Sequence, residues 1–180
     1  MLIVGDNLKQ LINQYNIVES ENAFDNFSIT LQLSDKIMLL SPSNPDIADI
    51  PTLYYGEEIP REYLQEKKIN STGITLPPKS CILACSHENI VMPAGYFGLL
   101  QTKGSLARLF VSLTCTDGQV EPGYKGKITF EVCNHSLFNI NIKPKQKVGQ
   151  LFIFKTSTKD VKLYNGKYQD AQGPTFQKPE

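Results

Sequence analysis

The apolar positions follow a helical period at the start of the chain and a period of two over most of the rest. Leu8, Leu11, Ile12 and Tyr15 recur at helical spacing, which predicts one short amphipathic helix over 6–15 with Asp6 as its N-cap. From residue 27, Phe27, Ile29, Leu31 and Leu33 alternate with Ser28, Thr30, Gln32 and Ser34, the signature of a half-buried strand. Residues 41–73 are proline-rich and aperiodic, so they predict a long surface excursion with one helical turn near 60–67. Beyond residue 74, short apolar runs recur at 74–76, 81–85, 96–101, 109–114, 128–133, 137–142 and 148–155. Turn signals separate them: Pro77-Pro78, Pro93-Ala-Gly95, Asp117-Gly118, Pro122-Gly123 and Lys143-Pro144. Many short strands with little helix predict an all-β barrel or sandwich. The run 148–155 is apolar on both faces, with Val148, Phe152 and Phe154 opposite Leu151 and Ile153, which points to a subunit interface. The polar, glycine-containing tail from Tyr164 either frays or orders over a ligand or a neighbouring subunit.

Composition narrows the classes. The 180 residues fit a single domain, 1–180, and carry 18 basic and 18 acidic side chains for a net charge of zero. A nucleic-acid-binding surface would need a basic surplus, so no nucleic acid is expected. The 41% hydrophobic content excludes an acidic disordered chain. Only Arg61 and Arg108 are arginines; the other basic residues are lysines. No stretch approaches a membrane span, and the start Met1-Leu-Ile-Val-Gly-Asp6 lacks the features of a signal peptide. The chain is therefore expected to be cytoplasmic, with reduced thiols at Cys81, Cys85, Cys115 and Cys133. Cys81 and Cys85, with His87 nearby, could suggest a metal, but strand-like alternation around them favours buried free cysteines.

Three segments carry candidate chemistry. Lys103-Gly-Ser-Leu-Ala-Arg108 follows a strand and opens a short helix, where amide groups flanked by Lys103 and Arg108 suit an anion such as phosphate; a capped turn with solvated cations is the alternative. Glu131 lies on the strand 127–133, whose apolar face is Ile128, Phe130 and Val132. It therefore projects to the other face with Thr129 and Cys133, either as a general base on a pocket wall or as a solvated carboxylate. The hairpin from Thr114 to Gly126 carries two tight turns, and its backbone could read the edge of a planar base or be an ordinary hairpin.

The order and spacing of these segments resemble the dCTP deaminase branch of the dUTPase-like superfamily. The matching residues are Gly-Ser-Leu-Ala-Arg (104–108), Glu-Pro-Gly-Tyr-Lys-Gly (121–126), Ile-Thr-Phe-Glu-Val-Cys-Asn (128–134), Lys-Val-Gly-Gln-Leu (147–151), Gly-Lys-Tyr-Gln (166–169) and Gln-Gly-Pro-Thr (172–175). Asn26–Leu33 sits at the family's early strand. The resemblance spans nearly the whole chain and is strongest over 93–175. It implies an all-β fold, a distorted β-barrel of the dUTPase-like, β-clip type with a short N-terminal helix, assembled as a homotrimer with sites between subunits.

The resemblance also implies a chemistry: zinc-independent deamination of dCTP to dUTP and ammonia, with Mg²⁺ carried by the triphosphate. Glu131 falls at the general base and Arg108 would orient it. Lys103, Gly104, Ser105 and Arg108 would meet the phosphates. The hairpin around Thr116, Asp117 and Glu121, from the adjacent subunit, would hold base and sugar. Tyr164 and Lys167 would close the tail (164–180) over the nucleotide. The zinc deaminases' H-x-E and P-C-x-x-C motifs are absent from the sequence. Departures fall at chemical positions: Gly104 replaces a serine, Lys103 an arginine, Glu121 an aspartate, Asp117 a small residue and Ala171 a glutamine. Thr30 and Gln32 likewise replace an aspartate and an arginine of the early strand. Two other readings therefore stand beside the first: dUTP pyrophosphatase or bifunctional deaminase activity, and a non-catalytic nucleotide-binding regulatory trimer.

Overall fold

The computed structural model describes residues 1–19, 23–42, 50–115 and 117–179. In chain order these form α1 (Gly5–Tyr15), β1 (Phe24–Asp25), β2 (Ser28–Leu40), β3 (Leu64–Lys68), β4 (Ile74–Leu76), β5 (Cys81–Ser86), β6 (Ile90–Val91) and β7 (Tyr96–Thr102). Then follow α2 (Gly104–Ala107), β8 (Val111–Ser112), β9 (Gln119–Val120), β10 (Lys125–Gly126), β11 (Thr129–Asn134), β12 (Ile140–Ile142) and β13 (Lys147–Lys155). The principal sheet runs β8-β11-β5-β2-β13-β7-β9, with β1 and β3 also on β2; the pairs β10-β6 and β12-β4 stand apart. The sheet is a curled half-barrel rather than a closed barrel.

β2 is the spine of this curl. It pairs with β5 through its second half and with β13 through its first half. The register shifts between Leu33 and Ile37 on one side and between Lys147 and Gly149 on the other. Such bulges bend a strand and increase its twist, which lets one strand turn the sheet's corner. Near this corner the turn of exposed His87 and buried Glu88 is tied to β2: the Glu88 carboxylate accepts the Gln32 N–H at 3.0 Å, and the His87 N–H donates to the Gln32 carbonyl at 2.8 Å. The core gathers Phe130, Leu8, Ile17, Ile29, Leu31, Leu100 and Leu151, all fully buried.

The helix forms where its apolar spacing predicts, but it begins at Gly5 with Val4 as N-cap; Asp6 sits in the first turn and makes no cap bond. It ends at Asn16, whose left-handed backbone (φ 49°) lets its N–H reach the Ile12 carbonyl. Phe27 lies in a turn and is exposed, so it is not part of the apolar face expected for it; both faces of β2 are buried at Ser28–Leu31 instead. The expected helical turn in the excursion shrinks to a 3₁₀ turn at Arg61–Tyr63, because Leu64–Lys68 pairs with Lys36–Leu40 as a strand. Residues 43–49 of the excursion lie outside the described residues. β13 is central, between β2 and β7, and Leu2 bridges Phe154 beyond the point where β2 stops. Of its two apolar faces, Leu151 and Ile153 are buried within the chain, whereas Phe152 and Phe154 on the other face are half-buried.

The expectation of four reduced thiols is corrected for one pair. Cys81 and Cys133 stand directly opposite each other on β5 and β11 and are joined as a disulfide, with Cα atoms 4.2 Å apart. Cys85 is free and buried, and Cys115 is free and exposed. The sequence separation of 52 hides this pairing; only the β5–β11 register brings the two together.

Candidate functional site

β11 carries Phe130 and Val132 into the core, which turns Thr129 and Glu131 to the opposite face. Glu131 pairs with Leu83 on β5, its N–H donates to the Leu113 carbonyl at 2.8 Å, and it bridges Thr114. The carboxylate therefore starts from a backbone held on both sides. It lines a cavity of about 730 Å³ whose walls also include Leu83, Leu100, Asp117–Glu121, Tyr124, Ile128 and Thr129. From the tail come Tyr164, Tyr168, Thr175, Phe176 and Gln177. That volume is ample for a nucleoside-sized ligand. Among the described residues three carboxylates, Asp117, Glu121 and Glu131, line it, and no lysine or arginine does.

The turn 117–118 is shaped by its own side chain. The Asp117 carboxylate accepts the Gln119 N–H at 3.1 Å, an Asx turn that leads into β9. Gly118 lies against β7: its carbonyl accepts the Leu100 N–H at 2.7 Å, and a Cβ there would meet the Leu100 carbonyl at 2.8 Å. Asp117 thus structures the hairpin as well as charging the cavity. Asp117→Ala is expected to lower the melting temperature by about 2–4 °C, the size of one lost hydrogen bond of about 1 kcal/mol in a chain of this length, whereas Asp117→Asn keeps an acceptor and changes it less. Thermal melts of both variants check this; equal losses would refute the Asx role. Tyr124 donates its hydroxyl to the Lys127 carbonyl at 2.6 Å, and burial, with Tyr164 alongside, pushes its pKa well above the usual phenol range. It remains a neutral donor.

The tail is clamped along residues 122–127 of its own chain. Tyr164 N–H donates to the Pro122 carbonyl at 2.8 Å, and its ring lies 5.7 Å from that of Tyr124. The Gln169 amide accepts the Lys125 N–H and donates to the Gly123 carbonyl, both at 3.0 Å. Asp170 N–H donates to Lys125 and Lys127 N–H donates to Ala171, each at 2.8 Å, around a parallel bridge from Gly126 to Ala171. Further on, Lys36 holds the Gln172 carbonyl at 3.2 Å, Thr129 accepts the Thr175 N–H at 3.3 Å, and Gln177 reaches the carbonyls of Tyr54 and Glu57 at 3.3 and 3.0 Å.

The residues expected at the site divide into two groups. Asp117, Glu121, Glu131 and Tyr164 share the cavity; Thr116 lies outside the described residues. Lys103, Gly104, Ser105, Arg108 and Lys167 do not line it. The expected division of labour between subunits is therefore corrected. The hairpin sits with Glu131 and the tail in one chain, because β9 pairs with β7 and Thr114 bridges Glu131. α2 is a four-residue helix with Lys103 at its N-cap and no side-chain cap bond, so the expected Gly-Ser cap is absent. Beside it, Leu109 and Phe110 are exposed together with Leu137 and Phe138, and the His135 N–H donates to the Phe110 carbonyl to hold the two segments side by side. The roles of Gln169, Thr129, Tyr168, Phe176 and Gln177 were not evident in the sequence; the Gly-Lys-Tyr-Gln and Gln-Gly-Pro-Thr spacing marked the segment but not its contacts. Among the described residues no group of three or more His, Cys, Asp or Glu side chains could hold a metal ion, and no helix is long and apolar enough to cross a membrane.

A mostly-β, curled half-barrel with a carboxylate-lined cavity under a clamped tail defines a dUTPase-like class of fold. The chain matches the dCTP deaminase-like family over residues 2–156 and belongs to that family. It is 27% identical over 190 residues to the "dCTP deaminase, dUMP-forming" of Nanoarchaeum equitans, covering 97% of this chain and 96% of that protein. It is 30% identical over 148 residues to the protein of the same name from Sulfurihydrogenibium sp., covering 82% and 78%. With that of Acidothermus cellulolyticus it shares 35% over 105 residues, and the match spans about half the length of each, 56% of this chain and 55% of the relative. Among solved structures, the 2'-deoxycytidine 5'-triphosphate deaminase from Agrobacterium tumefaciens superposes with a TM-score of 0.62 at 16% identity, over 84% of this chain and 47% of that one. At that identity the likeness speaks for the fold.

Proposed function

We propose that the protein deaminates the cytosine of dCTP, without zinc, using Glu131 as general base. The observation that carries this reading is that Glu131 shares one cavity with the hairpin 117–121 and the tail. A carboxylate there can take a proton from water as the water attacks C4 of cytosine. It can then return protons to N3 and to the leaving amine, giving the uracil nucleotide and ammonia. A wall with Asp117, Glu121 and Glu131 and no cation suits a base and sugar that offer N–H and O–H donors; it repels a triphosphate. The phosphates, with their Mg²⁺, must then extend toward cations outside it.

Lys103, Ser105 and Arg108 of a neighbouring copy would supply part of that charge, which is why a homotrimer belongs to the proposal. The exposed patch Leu109, Phe110, Leu137 and Phe138 beside α2 supports it, since such a patch invites burial and would carry α2 toward another copy's cavity. The Gly104 backbone, the Thr116 segment and Lys167 complete the proposed nucleotide contacts. A specific observation favours a second, overlapping reading. The relatives from N. equitans, Sulfurihydrogenibium sp. and A. cellulolyticus are named as dUMP-forming. In that reading a second water cleaves the bond between the α- and β-phosphates, and the products are dUMP, pyrophosphate and ammonia. A cytoplasmic place in pyrimidine deoxynucleotide metabolism accords with either.

One assay separates the readings. Purified protein is incubated with dCTP or dUTP and Mg²⁺ while ammonia and pyrophosphate are followed. Ammonia alone from dCTP supports the deaminase, and ammonia with pyrophosphate the bifunctional enzyme. Pyrophosphate from dUTP without ammonia from dCTP supports a dUTP pyrophosphatase. Silence with both, together with a raised melting temperature on nucleotide addition, supports a regulatory nucleotide binder. Sedimentation is expected to give a mass of three chains, shifted toward the monomer in Phe138→Glu; a monomeric wild type would refute the intersubunit site.

A further inference from the structure

The disulfide that joins β5 to β11 stands beside the candidate base. Along the ladder Cys133 pairs with Cys81 and Glu131 with Leu83, so the two pairs are next neighbours on one face of the two strands. Leu83 and Glu131 both line the cavity. Cys81 is the first residue of β5, so the bond clamps the end of the ladder at which fraying would begin. Just past it the Asn134 N–H donates to the Ser80 carbonyl at 2.9 Å, and the Lys79 N–H donates to the Asn134 carbonyl at 2.8 Å. The bond also closes a ring. Among the described residues, every cavity-lining position outside the tail, from Leu83 to Glu131, lies in the chain between Cys81 and Cys133, a separation of 52. One covalent link thus ties together the part of the wall that the tail does not supply. The two sulfurs differ in access, since Cys133 is buried and Cys81 is exposed. A thiol arriving from solution has Cys81 to attack. Disulfides in reducing compartments are uncommon, and those that occur there commonly serve as reversible sensors.

We propose that Cys81–Cys133 is a thiol–disulfide exchange site whose redox state sets how firmly the cavity wall around Glu131 is held. Its reductant is a dithiol. One thiolate of the dithiol attacks the Cys81 Sγ, the Cys81–Cys133 bond breaks, and the Cys133 Sγ leaves as a thiolate and takes a proton. The second thiolate of the dithiol attacks its own partner sulfur in the mixed disulfide. Cys81 then leaves and is protonated, and the dithiol becomes a cyclic disulfide. Two electrons and two protons pass to the protein, and a disulfide oxidant reverses the exchange. With the bond open, the backbone pairs of β5 and β11 keep the ladder, but its end frays toward Leu83 and Glu131. That the loosened wall holds a deaminating base rests on the function proposed above; the exchange site itself rests on the place of the disulfide in the ladder.

Treatment of the full chain with dithiothreitol, followed by reoxidation with glutathione disulfide, tests this. It is run on the wild type, on Cys115→Ser, which removes the other exposed thiol, and on Cys81→Ser. Alkylation under denaturing conditions, read by mass, should count two thiols in the oxidised wild type and four in the reduced one. In the reduced form the Asn134 and Glu131 amides should exchange hydrogen faster. The melting temperature should fall by about 10 °C, the effect of opening a cross-link of this span in a chain of this length. The KM for dCTP should rise several-fold, because a wall that is open part of the time binds in proportion to its closed fraction. Reoxidation should restore all three in the wild type and in Cys115→Ser. Cys81→Ser should resemble the reduced form and ignore the reductant. Four thiols after oxidation, or a bond that dithiothreitol opens only when the protein unfolds, overturns the exchange site. Asn134 and Glu131 exchange that is the same in both forms overturns its control of the wall, as does an equal KM in both forms, which leaves the deaminase reading intact. Exchange that follows the redox state in a protein that releases no ammonia from dCTP upholds the site, and the deaminase reading falls.

Discussion

Glu131→Gln is expected to lower the rate of ammonia release from dCTP by about 10²- to 10⁴-fold, the range that a positioned general base contributes. The replacement has nearly the same shape but cannot accept the proton that the attacking water must lose. The fold should not change. Glu131 is only half-buried, and the backbone bond that holds it, from its N–H to the Leu113 carbonyl, does not involve the carboxylate. Phe130 and Val132, which anchor β11 in the core, face the other way. A melting temperature and circular dichroism spectrum like the wild type, with unchanged nucleotide-induced stabilisation, would assign the loss to chemistry. A rate within a few-fold of the wild type would remove Glu131 from the mechanism and return the reading to nucleotide binding.

Gly126→Ala is expected to detach the tail from the cavity. Gly126 has a φ of +131°, where an L side chain is strained, and a Cβ there would lie 2.6 Å from the Ala171 nitrogen and 2.9 Å from its oxygen. Both are backbone atoms of the bridge that holds the tail, so neither can move aside without breaking the bonds from Asp170 to Lys125 and from Lys127 to Ala171. Strain and overpacking together cost about 3 kcal/mol. That is enough to favour the undocked tail, because the tail's other tethers are separate contacts of one or two hydrogen bonds each. Hydrogen exchange is the direct readout: the Asp170 and Lys127 amides should lose protection while Glu131 keeps its own. The KM for dCTP should rise as Tyr164 and Tyr168 leave the cavity wall. Retained protection at Lys127 and Asp170 would show that the tail tolerates the side chain and that the bridge is not its principal anchor.

Several features of this molecule were legible along the chain. The period of 3.6 placed α1, and the alternation around residue 131 turned Glu131 away from the core, because both depend on near neighbours and on one buried face. The turn residues Asp117-Gly118 and Pro122-Gly123 marked the hairpin for the same local reason. The order of short motifs led to the family. Local signals misled where long-range pairing decided the outcome. Leu64–Lys68 carries no apolar alternation and becomes a strand only because β2 offers it an edge. Leu109, Phe110, Leu137 and Phe138 look like core runs and lie exposed together beside α2.

What the sequence by itself determined is the set of local shapes and the chemical types at each position: a helix, short strands, a carboxylate on an outward face, lysines in a polar tail. What only the tertiary structure decided is which of these meet. Cys81 finds Cys133 through a register 52 residues apart. Gln169 clamps Lys125 across 44 residues, and Gln177 reaches Tyr54 across 123. The two glutamine contacts are each one hydrogen bond or a pair, and neither could by itself offset the entropy of closing so long a loop. They form because the hydrophobic core and the curled sheet have already brought the partners together, and that is why no spacing in the chain announces them.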